Sequence, residues 1–304
     1  MSNGPTMISE KVGYFPGSVN VGVVIGQSGV ILIDSGLDTQ TAKKIKKGLD
    51  AIAQPVRAIV QTHSHADHFG GNSYLLSVFE EAICYAPPLE EAIIRNPILE
   101  PIYLGIGASV LPELKNKFLC AEPSRVDNIL PVEGEIEIDG VTFTILSLPG
   151  HSWQQVGIVV DDICFAADSY FGQTTLTKHK LPFLVDASET IASLKKLQET
   201  RYQGYLPGHG EFETSVQETI QANIRCHEEI MEWIEQIFIK QEMTLEDGLA
   251  MLCEQLAVEI DNLTKFVLYR TAFMGYLVGL YREKRLSYRF KGNQMIWAKA
   301  ETSE

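Results

Sequence analysis

A chain of 304 residues with 45% hydrophobic and 21% charged side chains has the composition of a globular protein, long enough for one large domain and an appendage. Its 25 Lys and Arg face 39 Asp and Glu, a formal net charge of −14, which repels polyanions and makes nucleic acid an unlikely partner compared with a small-molecule substrate. The opening stretch MSNGPTMISEKVGYF lacks the basic-then-apolar pattern of a secretory signal, and no uncharged apolar run reaches the ~18 residues of a membrane span, so a cytoplasmic location is expected.

From residue 18, SVNVGVVIGQSGVILIDSG holds two β-rich runs, 19–25 and 30–34, joined by a Gly-Gln-Ser-Gly turn. LDTQTAKKIKKGLDAI, 37–52, reads as a helix with Asp38 or Thr39 as its cap. VRAIVQT, 56–62, is a short β-branched run that ends in QTHSHADHFGGN; Asn72 is then expected to cap a helix over NSYLLSVFEEA. Residues 84–125 break the rhythm, being rich in proline and apolar side chains without a clean period. Such an insertion is expected to be a lid or pocket wall, or else a helical subdomain packed on the core.

Strands resume in EIEIDGVTFTILSLPGH, with a hairpin at Asp139-Gly140, and in QVGIVVDDICFAADS, with a hairpin at Asp161-Asp162. SETIASLKKLQE is an amphipathic helix, and YQGYLPGHG a strand ending in a tight loop. Two strand-rich stretches, each flanked by helices, predict two sheets packed face to face with helices outside. From residue 214 helices take over, at 215–240, 245–257 (capping box at Thr244) and 263–284. RLSYRFKGNQMIWAKA then forms a terminal hairpin around a Lys-Gly-Asn turn. Three helices followed by a hairpin is the order of a winged helix, so we expect domains at 1–213 and 214–304. Cys84, Cys120, Cys164, Cys226 and Cys253 are dispersed without a C-x-x-C pair and are expected to be reduced, small apolar side chains.

Three of the seven histidines fall within six positions of one turn. His63 and His65 are two apart: a helix would point them away from each other, but extended chain puts positions i and i+2 on one face, where both can meet one ion. Asp67 and His68 follow where the chain turns. Downstream, His151 in LSLPGHS, Asp168 in CFAADSYF and His209 in GYLPGHGE each end a β-rich run. Neutral imidazoles and carboxylates are the usual ligands of catalytic divalent ions, and these seven side chains would suit two of them.

In this order the residues resemble the metallo-β-lactamase superfamily, whose signature is H-x-H-x-D-H followed by His, Asp and His. The resemblance spans roughly residues 15–213 and implies an α/β fold, the four-layer αββα sandwich, with the winged-helix-like tail appended. By the family pattern His63, His65 and His151 would hold one ion, Asp67, His68 and His209 a second, and Asp168 would bridge them. Asp34, in LIDSG at a strand end, matches an aspartate that supports the site from behind. The cofactors implied are two divalent ions, zinc or else iron or manganese, which lower the pKa of a bridging water and polarise a carbonyl. Asp67 would orient the nucleophile as well as bind metal. Antibiotic-degrading members are exported and lack the bridging aspartate, flavodiiron members replace the second histidine with glutamate, and RNA-processing members need basic surfaces. What remains is the glyoxalase II-like group of thioesterases, lactonases and related hydrolases. AADSYF is similar to that group's segment around the bridging aspartate, which makes Tyr170 a candidate substrate contact. His179, in TLTKHKLPF, is a second, and His227, on a helix beside acidic residues, is expected to be exposed. Basic glutathione-binding residues are not evident and the tail has a hairpin, which argues against glutathione thioesters. In that tail Arg282, Lys284, Arg285, Arg289 and Lys291 cluster with only Glu283 against them, either a solvated wing or a contact for a phosphate-bearing ligand.

The function expected is a dinuclear hydrolase that uses a metal-bridging hydroxide on a small ester, thioester or lactone. The alternatives are an RNA-processing nuclease or nucleic-acid-binding metallohydrolase, betrayed by salt-dependent RNA binding, and a mononuclear iron enzyme of the persulfide dioxygenase kind, betrayed by one iron per chain. Whether the tail pairs two copies in a homodimer or closes the pocket is left open.

Overall fold

The computed structural model describes residues 4–50 and 53–301, so the ends of the segments expected at 37–52, 1–213 and 214–304 lie outside the described residues. Side-chain alternation decides how the sheets stack. In the run Val30–Ile33, Val30 and Leu32 enter one apolar cluster while Ile31 and Ile33 enter another, so the strand is buried on both faces. It belongs to a seven-stranded sheet of β1 (Thr6–Met7), β2 (Val12–Phe15), β3 (Val21–Ile25), β4 (Val30–Ile33), β5 (Val56–Val60), β6 (Ile83–Ala86) and β7 (Asn128–Ile129), in that order. Pairing is antiparallel from β1 to β4 and parallel from β4 to β7. The second sheet holds β8 (Gly134–Ile138), β9 (Val141–Ser147), β10 (Val156–Val160), β11 (Ile163–Ala167) and β12 (Gly204–Pro207), ordered β12-β11-β10-β9-β8 and antiparallel except for β11 with β12. The hairpins expected at Asp139-Gly140 and Asp161-Asp162 form there, and all four of these residues take the positive φ that such tight turns need.

Between the sheets lies a core to which Val24, Ile31, Ile33 and Val60 contribute from one side and Phe143, Ile145, Ile158 and Phe165 from the other. The outer face of the first sheet is covered by α1 (Thr39–Leu49), capped by the Asp38 carboxyl on the Thr41 N–H, and by α2 (Ala66–Phe69) and α3 (Asn72–Val78). Asn72 is not the cap expected of it. Gly71 precedes the helix, and the Asn72 side chain accepts a hydrogen bond from Gln61 Nε2 at 2.8 Å, tying the helix to the start of the histidine turn. Residues 84–125 are not structureless: they include α4 (Glu90–Arg95) and α5 (Leu99–Leu104). After β11 come α6 (Gln173–Lys178) and α7 (Ala187–Glu199), the latter covering the second sheet. The result is the four-layer αββα arrangement of a metallo-β-lactamase fold with a helical C-terminal region.

That region comprises α8 (Gln217–Lys240), α9 (Leu245–Leu256) and α10 (Leu263–Arg282), followed by the hairpin β13 (Leu286–Lys291) and β14 (Gln294–Lys299). Its apolar cluster, with Ile234, Phe238, Leu252, Phe273 and Trp297, also takes in Leu181, Leu184 and Ala187, so packing runs across residue 213 without a break. His227, expected to be exposed, is 3% exposed and bonded through Nδ1 to the Tyr276 hydroxyl at 2.7 Å, because α8 is covered on that side by α7 and α10. The basic residues of the hairpin have acidic partners that are distant in sequence: Arg285 pairs with Glu235, Arg289 and Lys291 with Glu242, and Arg282 with Asp186. All five cysteines are free thiols, and no helix among the described residues is long and apolar enough to cross a membrane.

Candidate metal centre

The seven candidate ligands meet at one edge of the sandwich, where β5, β9, β11 and β12 end. Two of the strand ends that feed the site carry backbone strain: Asp34, just after β4, has φ 64°, and Ala167, just before Asp168, has φ 49°. His65 is extended, with φ −71° and ψ 141°, and precedes α2, whose short turn carries Asp67 and His68. This geometry brings His63 Nε2 to 3.1 Å and His151 Nε2 to 2.9 Å from His65 Nδ1. Asp168 lies between the remaining residues: its Oδ1 is 3.2 Å from His68 Nε2, and its Oδ2 is 3.3 Å from His209 Nε2 and 3.4 Å from His151 Nε2. His209 Nε2 is also 3.3 Å from Asp67 Oδ2. Three groups have all their ligand atoms within 4.8 Å of one another: His63, His65 and His151; His63, His68 and Asp168; and Asp67, His68 and His209.

Hydrogen bonds behind the rings decide which nitrogens face inward. His151 Nδ1 donates to the Phe183 carbonyl at 3.0 Å and His209 Nδ1 to the Ser18 carbonyl at 2.7 Å. His68 Nδ1 donates to Asp34 Oδ2 at 2.7 Å. Thr62 Oγ1 has one proton, which goes to Asp34, so it accepts from His63 Nδ1 at 3.1 Å. In each neutral ring Nε2 therefore presents a lone pair to the centre, the arrangement that outer partners impose on metal-binding histidines. Lone pairs and carboxylate oxygens that converge without protons between them need a cation. His68 Nε2 and Asp168 Oδ1 show this directly, since both are buried, close together and without any hydrogen-bond partner among the described residues.

The electrostatics make the same demand. Burial opposes charge on His209 and His68, but Asp168 outweighs it in both, helped by Asp34 at His68; His209 is pushed up to about 10 and His68 well above the usual imidazole range. Burial, with neighbouring imidazoles adding to it, holds His65 down to about 4 and His151 to about 3. Burial also works against a charged Asp67, yet the hydrogen bond from His209 brings its carboxyl to about 2. Without an ion, protons gather on the acidic side of the cluster. The residues present therefore fit divalent metal.

Beside the cluster is a cavity of about 490 Å³. Its walls come from the 84–125 segment through Phe118 and Leu119, from the loop and helix after β11 through Phe171 and Phe183, and from α10 through Thr264, Lys265 and Leu268. His179 lines it, as the sequence suggested. Tyr170 does not: it is 1% exposed and packs into the cluster of Cys164, Tyr205 and Val216, while its neighbour Phe171 faces the cavity. Two residues escaped the sequence reading. Glu90, fully buried at the start of α4, accepts from Ser64 N at 3.0 Å, Ser64 Oγ, Ser152 Oγ at 2.7 Å and Gln154 N at 2.8 Å. It thereby ties the His63–His65 turn to the His151 loop. Glu100, on α5, lines the cavity itself. The paired acids of LEEA gave no sign of which would turn inward, but Glu100, alone between apolar residues in ILEPIYL, could have been flagged.

The comparisons agree with this geometry. Residues 14–209 match the family described as the metallo-beta-lactamase superfamily, and the chain belongs to it. A probable metallo-hydrolase of Streptococcus pyogenes is 27% identical over 196 residues, covering 63% of this chain and 78% of that protein. An atrochrysone carboxyl ACP thioesterase of Aspergillus fumigatus is 24% identical over 284 residues, covering 88% of this chain and 77% of that one. Among solved structures, a beta-lactamase domain protein from Burkholderia ambifaria superposes with a TM-score of 0.75 at 15% identity, over 98% of this chain and 94% of that one, a likeness of fold.

Proposed function

We propose that the protein is a dinuclear metal-dependent hydrolase acting on a small ester, thioester or lactone in the cytoplasm. The observation that carries this reading is the direction of the lone pairs: His63, His68, His151 and His209 are each held from behind through Nδ1, so that Nε2 meets the carboxyls of Asp67 and Asp168. Divalent ions there, zinc or else iron or manganese, would supply a water of near-neutral pKa and polarise an acyl carbonyl. His63, His65 and His151 would hold one ion and Asp67, His68 and His209 the other, with Asp168 reaching both. Asp67 is 31% exposed in its side chain and lines the cavity, so it can also accept a proton from the attacking water and orient it. Asp34 keeps the His68 ring in one tautomer. The similarity to a fungal thioesterase along most of the chain supports acyl chemistry.

The order of three helices and a hairpin, with Met243 bridged to Trp297, supports a winged-helix-like reading of the tail. Arg282, Arg285, Arg289 and Lys291 of its basic cluster are already paired with Asp186, Glu235 and Glu242, which favours a small substrate over RNA. The test is elemental analysis of untagged protein purified without chelators, together with a panel of thioesters, esters and lactones. Two ions per chain with turnover of a panel member is the expected result. One iron per chain without hydrolysis would replace this reading with thiol oxidation, and a His65→Ala protein of unchanged metal content would overturn the ligand assignment.

A further inference from the structure

Of the acidic side chains that line the cavity, Asp67, Glu100 and Asp168, only Glu100 stands outside the metal constellation. It is 3% exposed, yet among the described residues no side chain hydrogen-bonds to it and no cation faces it; burial and the negative charges of Asp67 and Glu90 push its carboxyl well above the ordinary range. The cavity it lines has apolar stretches of wall, with Phe118, Leu119, Phe183 and Leu268, and the Tyr103 phenol and Cys120 thiol are near enough to feel its charge. A leucine there would pack without the desolvation that a buried, unpartnered carboxyl entails. Buried polar groups left without partners in an otherwise apolar pocket are the usual means by which such a pocket fixes one orientation and one ligand chemistry. The opening of the cavity differs in character, since His179 is exposed and Lys265 is 42% exposed in its side chain. An acyl group thus fits the interior, while the alcohol or thiol it is joined to remains toward solvent.

We propose that Glu100 is a specificity-determining residue that hydrogen-bonds a donor on the acyl group, an alcohol, a phenol or an amide N–H, placed away from the carbonyl carbon. The proposal rests on the hydrolase reading for its acyl substrate. The position of the donor follows from Glu100 lining the cavity outside all three candidate ligand groups: the group that meets Glu100 is not the one that meets the metals. A carboxyl can accept from such a donor whether or not it holds a proton, so the recognition does not depend on its titration.

The test uses the full-length, metal-loaded protein and matched acyl thioesters of one thiol: hexanoyl against its terminal-hydroxy analogue, and phenylpropanoyl against its para-hydroxy analogue. The wild type should favour a hydroxylated member by about 10- to 100-fold in kcat/KM, since a pocket built around a buried polar group rejects the analogue that leaves it unpaired. Glu100→Gln, which still accepts, should keep part of that ratio. Glu100→Leu should bring it to about one by lowering kcat/KM for the hydroxylated members, and raise Tm because the unpartnered carboxyl is gone. A wild-type ratio near one, a ratio that survives Glu100→Leu, or a Tm that falls by several degrees in Glu100→Leu would overturn the proposal. If none of these thioesters is turned over, the thioester form of the hydrolase reading fails, and calorimetry with the four product acids decides separately on Glu100. Tighter binding of a hydroxylated acid, lost in Glu100→Leu, sustains the role; equal binding ends it.

Discussion

Glu90→Gln perturbs the link between the two histidine loops while preserving side-chain volume. The Glu90 carboxyl accepts two backbone N–H groups, of Ser64 and Gln154, and two hydroxyls, of Ser64 and Ser152; Ser64 bonds to one oxygen, and Ser152 and Gln154 to the other. An amide keeps one acceptor oxygen and puts an NH₂ where the other accepted two donors. Two hydrogen bonds are lost and donors face donors. Each lost bond is worth about 1 kcal/mol net, and a buried backbone N–H left unsatisfied costs about 1–3 kcal/mol, which puts the loss of restraint near 3 kcal/mol. If that restraint holds His63, His65 and His151 in register, divalent-ion affinity should fall by about a hundredfold, at the upper end of the effect of removing an outer partner of a metal ligand. Zinc competition against a chromophoric chelator measures the affinity, and the visible spectrum of the cobalt-substituted protein reports the ligand geometry. A Glu90→Gln protein with wild-type affinity and a wild-type cobalt spectrum would refute the argument.

Gly208 packs so closely that an added Cβ would sit 2.1 Å from Asp168 Oδ1 and 2.8 Å from His68 Cε1; Gly208→Ala should therefore displace the Asp168 carboxylate and lower metal content by elemental analysis, while normal stoichiometry would show that the site yields without loss. Burial, with a smaller effect from His151, holds His227 down to about 4 from 6.5, so its neutral form contributes fully above 6.5 and about 3 kcal/mol of stability is lost as pH falls from 6.5 through 4. His227→Gln should flatten the urea-midpoint curve across that window relative to wild type, and parallel curves would contradict the linkage. At the hairpin, Arg289 and Lys291 are paired with Glu242 on the surface, so Arg289→Ala should change stability by less than about 0.5 kcal/mol and leave the binding of a short RNA unchanged at low salt; a tenfold loss of RNA affinity would reopen the nucleic-acid reading.

The features that sequence patterns conveyed are those set by local geometry. Runs such as VILI and VGIVV with Asp-Gly or Asp-Asp turns imply strands whatever surrounds them, and a ligand pair two apart on extended chain implies convergence on one face. His227 shows where neighbour-based reasoning fails. Its flanking glutamates suggested exposure, yet Ile220, Ile224, His227, Met231, Ile234 and Phe238 recur every three or four residues along α8, and all are buried. The period was the better guide than the adjacent charges. Tyr170 and Phe171 are consecutive and both aromatic, and only the turn after Ala167 decides which of them enters the core and which the cavity. Glu90 and the hairpin cations were unreadable for another reason: their partners lie 26 to 64 and 47 to 96 residues away, and no local pattern encodes such pairings.

The cavity draws together two parts of the chain that sequence reading treats separately. Leu104, Leu114 and Leu119 of the 84–125 segment form one apolar cluster with Val267 of α10, so the insertion and the last helix buttress each other above the metal centre. The sandwich, residues 14–209 by family likeness, supplies all seven candidate ligands; part of the wall facing the substrate comes from Thr264, Lys265 and Leu268 beyond it. The α10 part of the wall is thus encoded outside the stretch that carries the ligands, whereas Phe118, Leu119, Phe171 and Phe183 lie within it. A relative that matches only the sandwich shares the means of activating water but not that wall, whereas one aligned through the tail shares the scaffold of both. Substrate preference should therefore follow the 84–125 segment and α10 rather than the histidine signature, which makes Glu100 and Leu268 more informative about the substrate than any of the ligands.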